Sequence, residues 1–101
     1  MEALEVELTQ KTIPRIYLGF LTHLDNIEHR HYDTVEYIFT DEALMERYQH
    51  RFDASAWPLY AVNRHGKIAP VNDAHGHPMT AQADLPQIRE RFRFTHERLY
   101  R

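Results

Sequence analysis

Residues 12–30 read TIPRIYLGFLTHLDNIEHR, and the conformation of this stretch decides what the rest of the chain can build. Ile13, Ile16, Tyr17, Phe20, Leu21, Leu24 and Ile27 recur at i, i+3, i+4 and i+7 and fall on one helical stripe. Thr12 is placed to cap such a helix, and Pro14 is tolerated in its first turn. Gly19, Thr22 and the β-favouring Ile, Tyr and Phe argue instead for a strand. A sustained period outweighs local propensity. The expectation is a helix, with a strand over 12–30 as the alternative.

Upstream, Glu2 to Thr9 alternates, with Leu4, Val6 and Leu8 on one face and Glu5 and Glu7 on the other. This predicts a strand that buries its Leu and Val face. Downstream, His31 to Thr40 (HYDTVEYIFT) has the composition of a strand. Thr40 or Asp41 then caps a helix to about Phe52, buried through Leu44, Met45, Tyr48 and Phe52. Its acids come early and Arg47, His50 and Arg51 late, which suits the helix dipole.

Leu59–Asn63 and Lys67–Val71 flank Asn63-Arg64-His65-Gly66, a hairpin connection whose glycine can take positive φ. Pro70 has no amide proton to donate and belongs at a sheet edge. Residues 72–83 read as a polar loop. Asp84 is placed to cap a final helix, DLPQIRERFRFTHERLYR, striped by Leu85, Ile88, Phe92, Thr95 and Leu99. No internal repeat is expected. The predicted order is β-α-β-α-β-β-α over residues 1–101, a single two-layer α+β domain whose sheet of about four strands carries the helices.

Composition narrows the class. A chain of 101 residues, 43% hydrophobic and 27% charged, is of ordinary single-domain size and globular character. Cysteine is absent, which excludes disulfides, thiol catalysis and Cys-ligated zinc and fits a reducing cytoplasm. The start, MEALEVELTQ, lacks the basic and apolar regions of a signal peptide. The apolar run IYLGFL is far short of the ~20 residues of a spanning helix. The expectation is therefore a cytoplasmic protein with no membrane partner. The net charge of −3 divides into −6 over residues 1–50 and +3 over residues 51–101. Packing of the two halves against each other explains this more simply than head-to-tail contact of two copies. Overall acidity argues against nucleic acid as the partner.

Two histidine pairs could carry chemistry. His29-x-His31-x-Asp33 and Asp73-x-His75-x-His77 would each aim two imidazoles and a carboxylate to one side if extended. Such a set suits a divalent transition metal, with His29, His31, Asp33, His75 and His77 as ligands. Weighed against this, eight histidines on a polar surface need no metal. A third reading is a group that charges together below pH about 6. His29-Arg30-His31 followed by Glu36 also resembles the first cupin motif, in which such residues hold a catalytic metal. The upstream glycine and the second motif are missing, so the resemblance ends within eight residues.

Arg89, Arg91, Arg93, Arg98 and Arg101 interleave with Phe92, Phe94 and Tyr100. This admits an RNA-binding helix, but Glu90 and Glu97 leave too little excess charge, and a docked amphipathic helix is preferred. Leu18, Phe94 and Tyr100 fall off the main stripes, where subunit contacts would lie. No P-loop, nucleophile elbow or HExxH occurs. The reading is a non-catalytic interaction domain that self-associates or binds another protein, with no cofactor required. The alternatives are a divalent-metal-binding protein or enzyme built on the His-x-His pairs and, behind it, a nucleic-acid-binding protein using the C-terminal arginines.

Overall fold

A computed structural model describes residues 1–97. The helix over the deciding stretch forms: α1 spans Ile13–Glu28, with Thr12 at the N-cap position and Pro14 in the first turn. Its buried stripe is Ile16, Tyr17 and Phe20, with Leu21, Leu24 and Ile27 packed beside it. It ends in a Schellman arrangement, where Arg30 N–H donates to Ile27 O at 3.0 Å and His31 N–H to Asn26 O at 2.9 Å. Arg30 holds the left-handed position (φ 61°) that glycine usually occupies there.

Strands β1 (Glu2–Glu7) and β2 (Thr34–Phe39) pair in parallel across α1, with Glu2 opposite Thr34 and Glu7 opposite Phe39. Helix α2 (Glu42–Phe52) follows, capped by Asp41 Oδ1, which accepts from Ala43 N–H at 2.8 Å and from Leu44 N–H at 3.3 Å. Leu44, Tyr48 and Phe52 point inward as expected. Both helices lie on one face of the sheet and meet over Val35, Tyr37 and Phe39. Phe20 is the hub, with Tyr37, Tyr48, Phe52, Trp57, Phe92 and Phe94 all within 6.4 Å between ring centroids.

A ribbon of short strands then closes one side. β3 (Ala56–Pro58) pairs antiparallel with β6 (Thr80–Gln82), and β4 (Tyr60–Val62) with β5 (Ile68–Pro70). The β4–β5 hairpin is the expected one, and Gly66 takes φ 77°. Residues 72–83 are not one loop. Asn72 bridges Pro78, and β6 supplies the partner of β3. The two turns of this ribbon are copies of each other at a ten-residue offset. Asn63 Oδ1 accepts from the amides of His65 and Lys67, and Asp73 Oδ1 accepts from those of His75 and His77. Gly66 and Gly76 both take positive φ and donate back to the Asn63 and Asp73 carbonyls. Asn-x-His-Gly-Lys and Asp-x-His-Gly-His are thus a short repeat whose shared chemistry is the side-chain oxygen at its first position and the glycine at its fourth.

The C-terminal expectation fails. Only Pro86–Arg89 is helical (α3), and Asp84 does not cap it; Leu85 occupies the N-cap position. Phe92–His96 is strand β7, parallel to β2 on the side away from β1. The main sheet is therefore three-stranded, in the order β1-β2-β7. Leu85, Ile88 and Phe92 reach the core as the helical stripe implied, but Arg91-Phe92-Arg93-Phe94-Thr95 alternates with period two. A strand puts both Phe92 and Phe94 on the core face, whereas a helix would have left Phe94 outside. Residues 98–101, including Leu99 and Tyr100, lie outside the described residues. The architecture is α+β, with helices on one face of a sheet. No helix among the described residues is long and apolar enough to cross a membrane.

The first strand reverses its predicted polarity. In parallel register Glu5 lies beside Tyr37 and Glu7 beside Phe39, so both carboxylates share the face covered by the helices. Leu4 (63% exposed), Val6 (48%) and Leu8 (64%) are left on or beside the outer face. Alternation shows that the two faces differ. Which face is covered is set by the partner strand, whose Val35, Tyr37 and Phe39 define the core side.

Candidate functional site

Turning Glu5 and Glu7 inward places two carboxylates under a row on the overlying segment. Lys11, Arg15, Gly19 and His23 follow one another at intervals of four residues, along one edge of α1 and the turn before it. Glu7 is only 3% exposed, and Lys11 Nζ donates to its Oε1 at 3.0 Å. The Tyr48 hydroxyl is fully buried and makes no hydrogen bond among the described residues. Burial above all, with the Glu7 carboxylate beside it, holds the Tyr48 phenol well above its ordinary pKa. Tyr37 is pushed up in the same way, by burial first and then by Glu5 and Glu7.

The second carboxylate is fixed by a relay. Asn26 Nδ2 donates to Tyr32 Oη at 3.2 Å, Tyr32 Oη lies 2.6 Å from His23 Nδ1, and His23 Nε2 lies 2.9 Å from Glu5 Oε1. With Asn26 donating to the phenol oxygen, the Tyr32 proton is free to point at Nδ1. The neutral ring then carries its proton on Nε2 and donates it to Glu5. Both ring nitrogens are engaged, so His23 serves to orient Glu5 rather than to abstract a proton from a ligand.

Gly19 opens this arrangement. A glycine inside a helix costs about 1 kcal/mol relative to alanine. Here the only heavy atom that an added Cβ would approach is Tyr37 Oη, at 3.5 Å, which is ordinary contact. Backbone geometry does not require a glycine at this point, and its effect is to leave space above the Tyr37 hydroxyl. Gly19 also lines a cleft of about 460 Å³ between α1 and the β4–β5 hairpin, within the size range of small-molecule sites. Glu5, Lys11, Arg15 and His23 bring charge to it, and Leu18, Val62 and Ile68 give an apolar wall. Arg15 makes no ion pair among the described residues, while Lys11 and His23 are both engaged.

The histidine pairs singled out in the sequence lie elsewhere. The second strand starts at Thr34, so His29-Arg30-His31 does not open it. His29 is the C-cap of α1 and Arg30 turns the chain left-handed, which stacks the two imidazoles with centroids 6.4 Å apart. His29 Nδ1 sits 2.8 Å from Asp25 O and 3.3 Å from Asp25 Oδ1; the carbonyl bond and the Asp25 charge raise its pKa. Asp33 Oδ2 accepts from the Met1 amine at 2.8 Å, which lowers its own pKa. His75 and His77 sit on the second twin turn, with ring centroids 6.4 Å apart, and Asp73 is occupied in holding that turn. Among the described residues no three His, Asp or Glu side chains come together as a metal site.

The arginines are dispersed as well. Arg89 pairs with Asp53 at 3.0 Å and lies over the Phe52 ring, Arg91 reaches the Asp33 carbonyl, and Arg93 stands on the outer face of β7. The expected basic helix is absent from the described residues, and Arg98 and Arg101 lie outside them. Compared with protein families, with functionally characterised proteins and with solved structures, the chain matches none.

Proposed function

We propose that this protein is a non-catalytic, cytoplasmic interaction domain that self-associates through the outer face of its parallel sheet. The observation that supports this reading is that this face is bare among the described residues. All three strands are parallel, and parallel sheets are ordinarily covered on both sides. Here the helices cover one side, while Leu4 and Val6, with Leu8 just beyond the strand, stand exposed next to Ile38 on the other.

The division of charge between the two edges of this face supports a second copy as the occupant. The acids of this face, Glu2 and Glu36, stand on β1 and β2, and its base, Arg93, stands on β7. A copy rotated about a two-fold axis along the strands lays β1 over the partner's β7 and β2 over the partner's β2, which sets Glu2 on the side of the base and leaves Ile38 near the axis, together with Glu36, whose carboxylate accepts from Thr95 at 2.6 Å. Sedimentation equilibrium tests this reading. The chain should show twice its monomer mass with concentration-dependent dissociation, and Val6→Glu should sediment as a folded monomer. A monomeric wild-type chain, or a Val6→Glu dimer of undiminished affinity, would refute it.

A further inference from the structure

On the opposite side of the sheet, we infer that Tyr48, Glu7 and Tyr37 together hold one internal water molecule, in the small cavity where β1, β2 and α2 meet the edge of α1. The starting observation is a polar atom without a partner. Tyr48 is 1% exposed, and its hydroxyl is fully buried and makes no hydrogen bond among the described residues. The Glu7 carboxylate and the Lys11 backbone amide stand beside it, yet neither closes a hydrogen bond to it. Buried hydroxyls are ordinarily satisfied, by the protein or by ordered water. A phenylalanine here would bury no polar atom, so this tyrosine is costly unless something pairs with its hydroxyl.

Size and chemistry identify the partner. Tyr48 and Glu7 line a cavity of about 20 Å³ together with Tyr37, Lys11 and Gly19. That volume holds one water and nothing larger. A buried water also needs two to four polar partners, and this lining offers both donors and an acceptor. Lys11 Nζ engages Glu7 Oε1 at 3.0 Å, which leaves Oε2 to accept from water. The Tyr48 hydroxyl can donate to the water oxygen. Tyr37 Oη, 3.5 Å from the position a Gly19 Cβ would take, supplies a third partner on the same cavity. Burial holds both phenols protonated at neutral pH, so each keeps a proton to give. A cation is disfavoured, because Lys11 already answers the Glu7 charge and Arg15 lines the same cavity. An anion would be repelled by Glu5 and Glu7. Glu5, Lys11, Arg15 and Gly19 also line the larger cleft outside, which gives water a short way in.

A high-resolution crystal structure of the full chain, grown from rubidium chloride, tests this inference, and thermal unfolding of Tyr48→Phe tests it in solution. One solvent peak is expected within about 3.2 Å of both Tyr48 Oη and Glu7 Oε2. It should carry no anomalous signal at the rubidium edge and should be missing from crystals of Tyr48→Phe. Removing a hydroxyl that is bonded through water leaves its partners short. Tyr48→Phe should therefore lower the melting temperature by about 4–8 °C. Removing an unpaired hydroxyl would instead relieve the fold and raise it. No peak, a rubidium signal, a peak unchanged in Tyr48→Phe, or a variant that melts at or above the wild type would each overturn the inference. So would a direct Tyr48–Glu7 hydrogen bond with no water between them.

Discussion

Arg30 sits at φ 61°, where a side chain costs roughly 1 kcal/mol that glycine would not incur. Its two flanking hydrogen bonds run through the backbone and survive any substitution other than proline. Arg30→Gly should therefore stabilise the protein by about 1 kcal/mol, which raises the melting temperature by roughly 4–8 °C in a domain of this size. An unchanged or lower value would mean that the arginine side chain contributes more than its backbone strain costs. At the same scale, Tyr37 and Tyr48 have raised pKa values. Each phenol is held protonated in the fold, while the unfolded chain loses that proton near pH 10. The stabilisation is complete below about pH 10 and is lost as pH rises beyond it. An absorbance titration should show these two tyrosines missing from the first wave of ionisation and released only as the protein unfolds. A single wave for all six tyrosines near pH 10 would contradict the burial described here.

Among the elements, β1 carries the feature least expected of an alternating strand, a buried carboxylate. Removing the partner of Glu7 leaves that charge stranded, a change worth 3–5 kcal/mol when both members are buried. Lys11 is 42% exposed, so Lys11→Met should cost less, about 1–3 kcal/mol. Adding Glu7→Leu should return most of that loss in urea denaturation, because the double variant removes the pair without leaving a charge. A double variant less stable than the single would show that Glu7 has other partners. Elements with local signals were legible in the sequence: α1 from its stripe, α2 from Asp41 and its charge order, and the β4–β5 hairpin from Gly66. β7 was not, because Leu85, Ile88 and Phe92 continue a helical period. The partner that makes a strand of residues 92–96 lies far away, with Thr95 meeting Glu36 across 59 residues. The inward turn of Glu5 and Glu7 was hidden for a related reason. Alternation separates two faces, and only β2 determines which one the helices cover. The Lys11-Arg15-Gly19-His23 row was visible beside the apolar stripe, but what it lies over is tertiary. The extended geometry expected of the histidine pairs does not form, because His29 and His31 lie at a helix end and His75 and His77 on a tight turn.

For the molecule as a whole, the arrangement is lopsided. Helices α1 and α2 and the ribbon gather on one face around Phe20, and the other face of the same sheet is bare among the described residues. The first strand ties the two sides together, since the parity that sends Glu5 and Glu7 towards α1 is the one that sends Leu4 and Val6 outward. The charged cleft and the apolar face thus have one structural origin, and a strand flipped by one residue would abolish both. Covering the bare face by a second copy is the central claim, and isotope-filtered NOE spectroscopy on a mixture of ¹³C-labelled and unlabelled chains tests it most directly. The account predicts intermolecular contacts from the methyl groups of Leu4, Val6, Leu8 and Ile38, and none from Leu44 or Ile16 in the core. An associated sample whose intermolecular contacts arise only from α2 or the ribbon, or a sample with none at all, would contradict it.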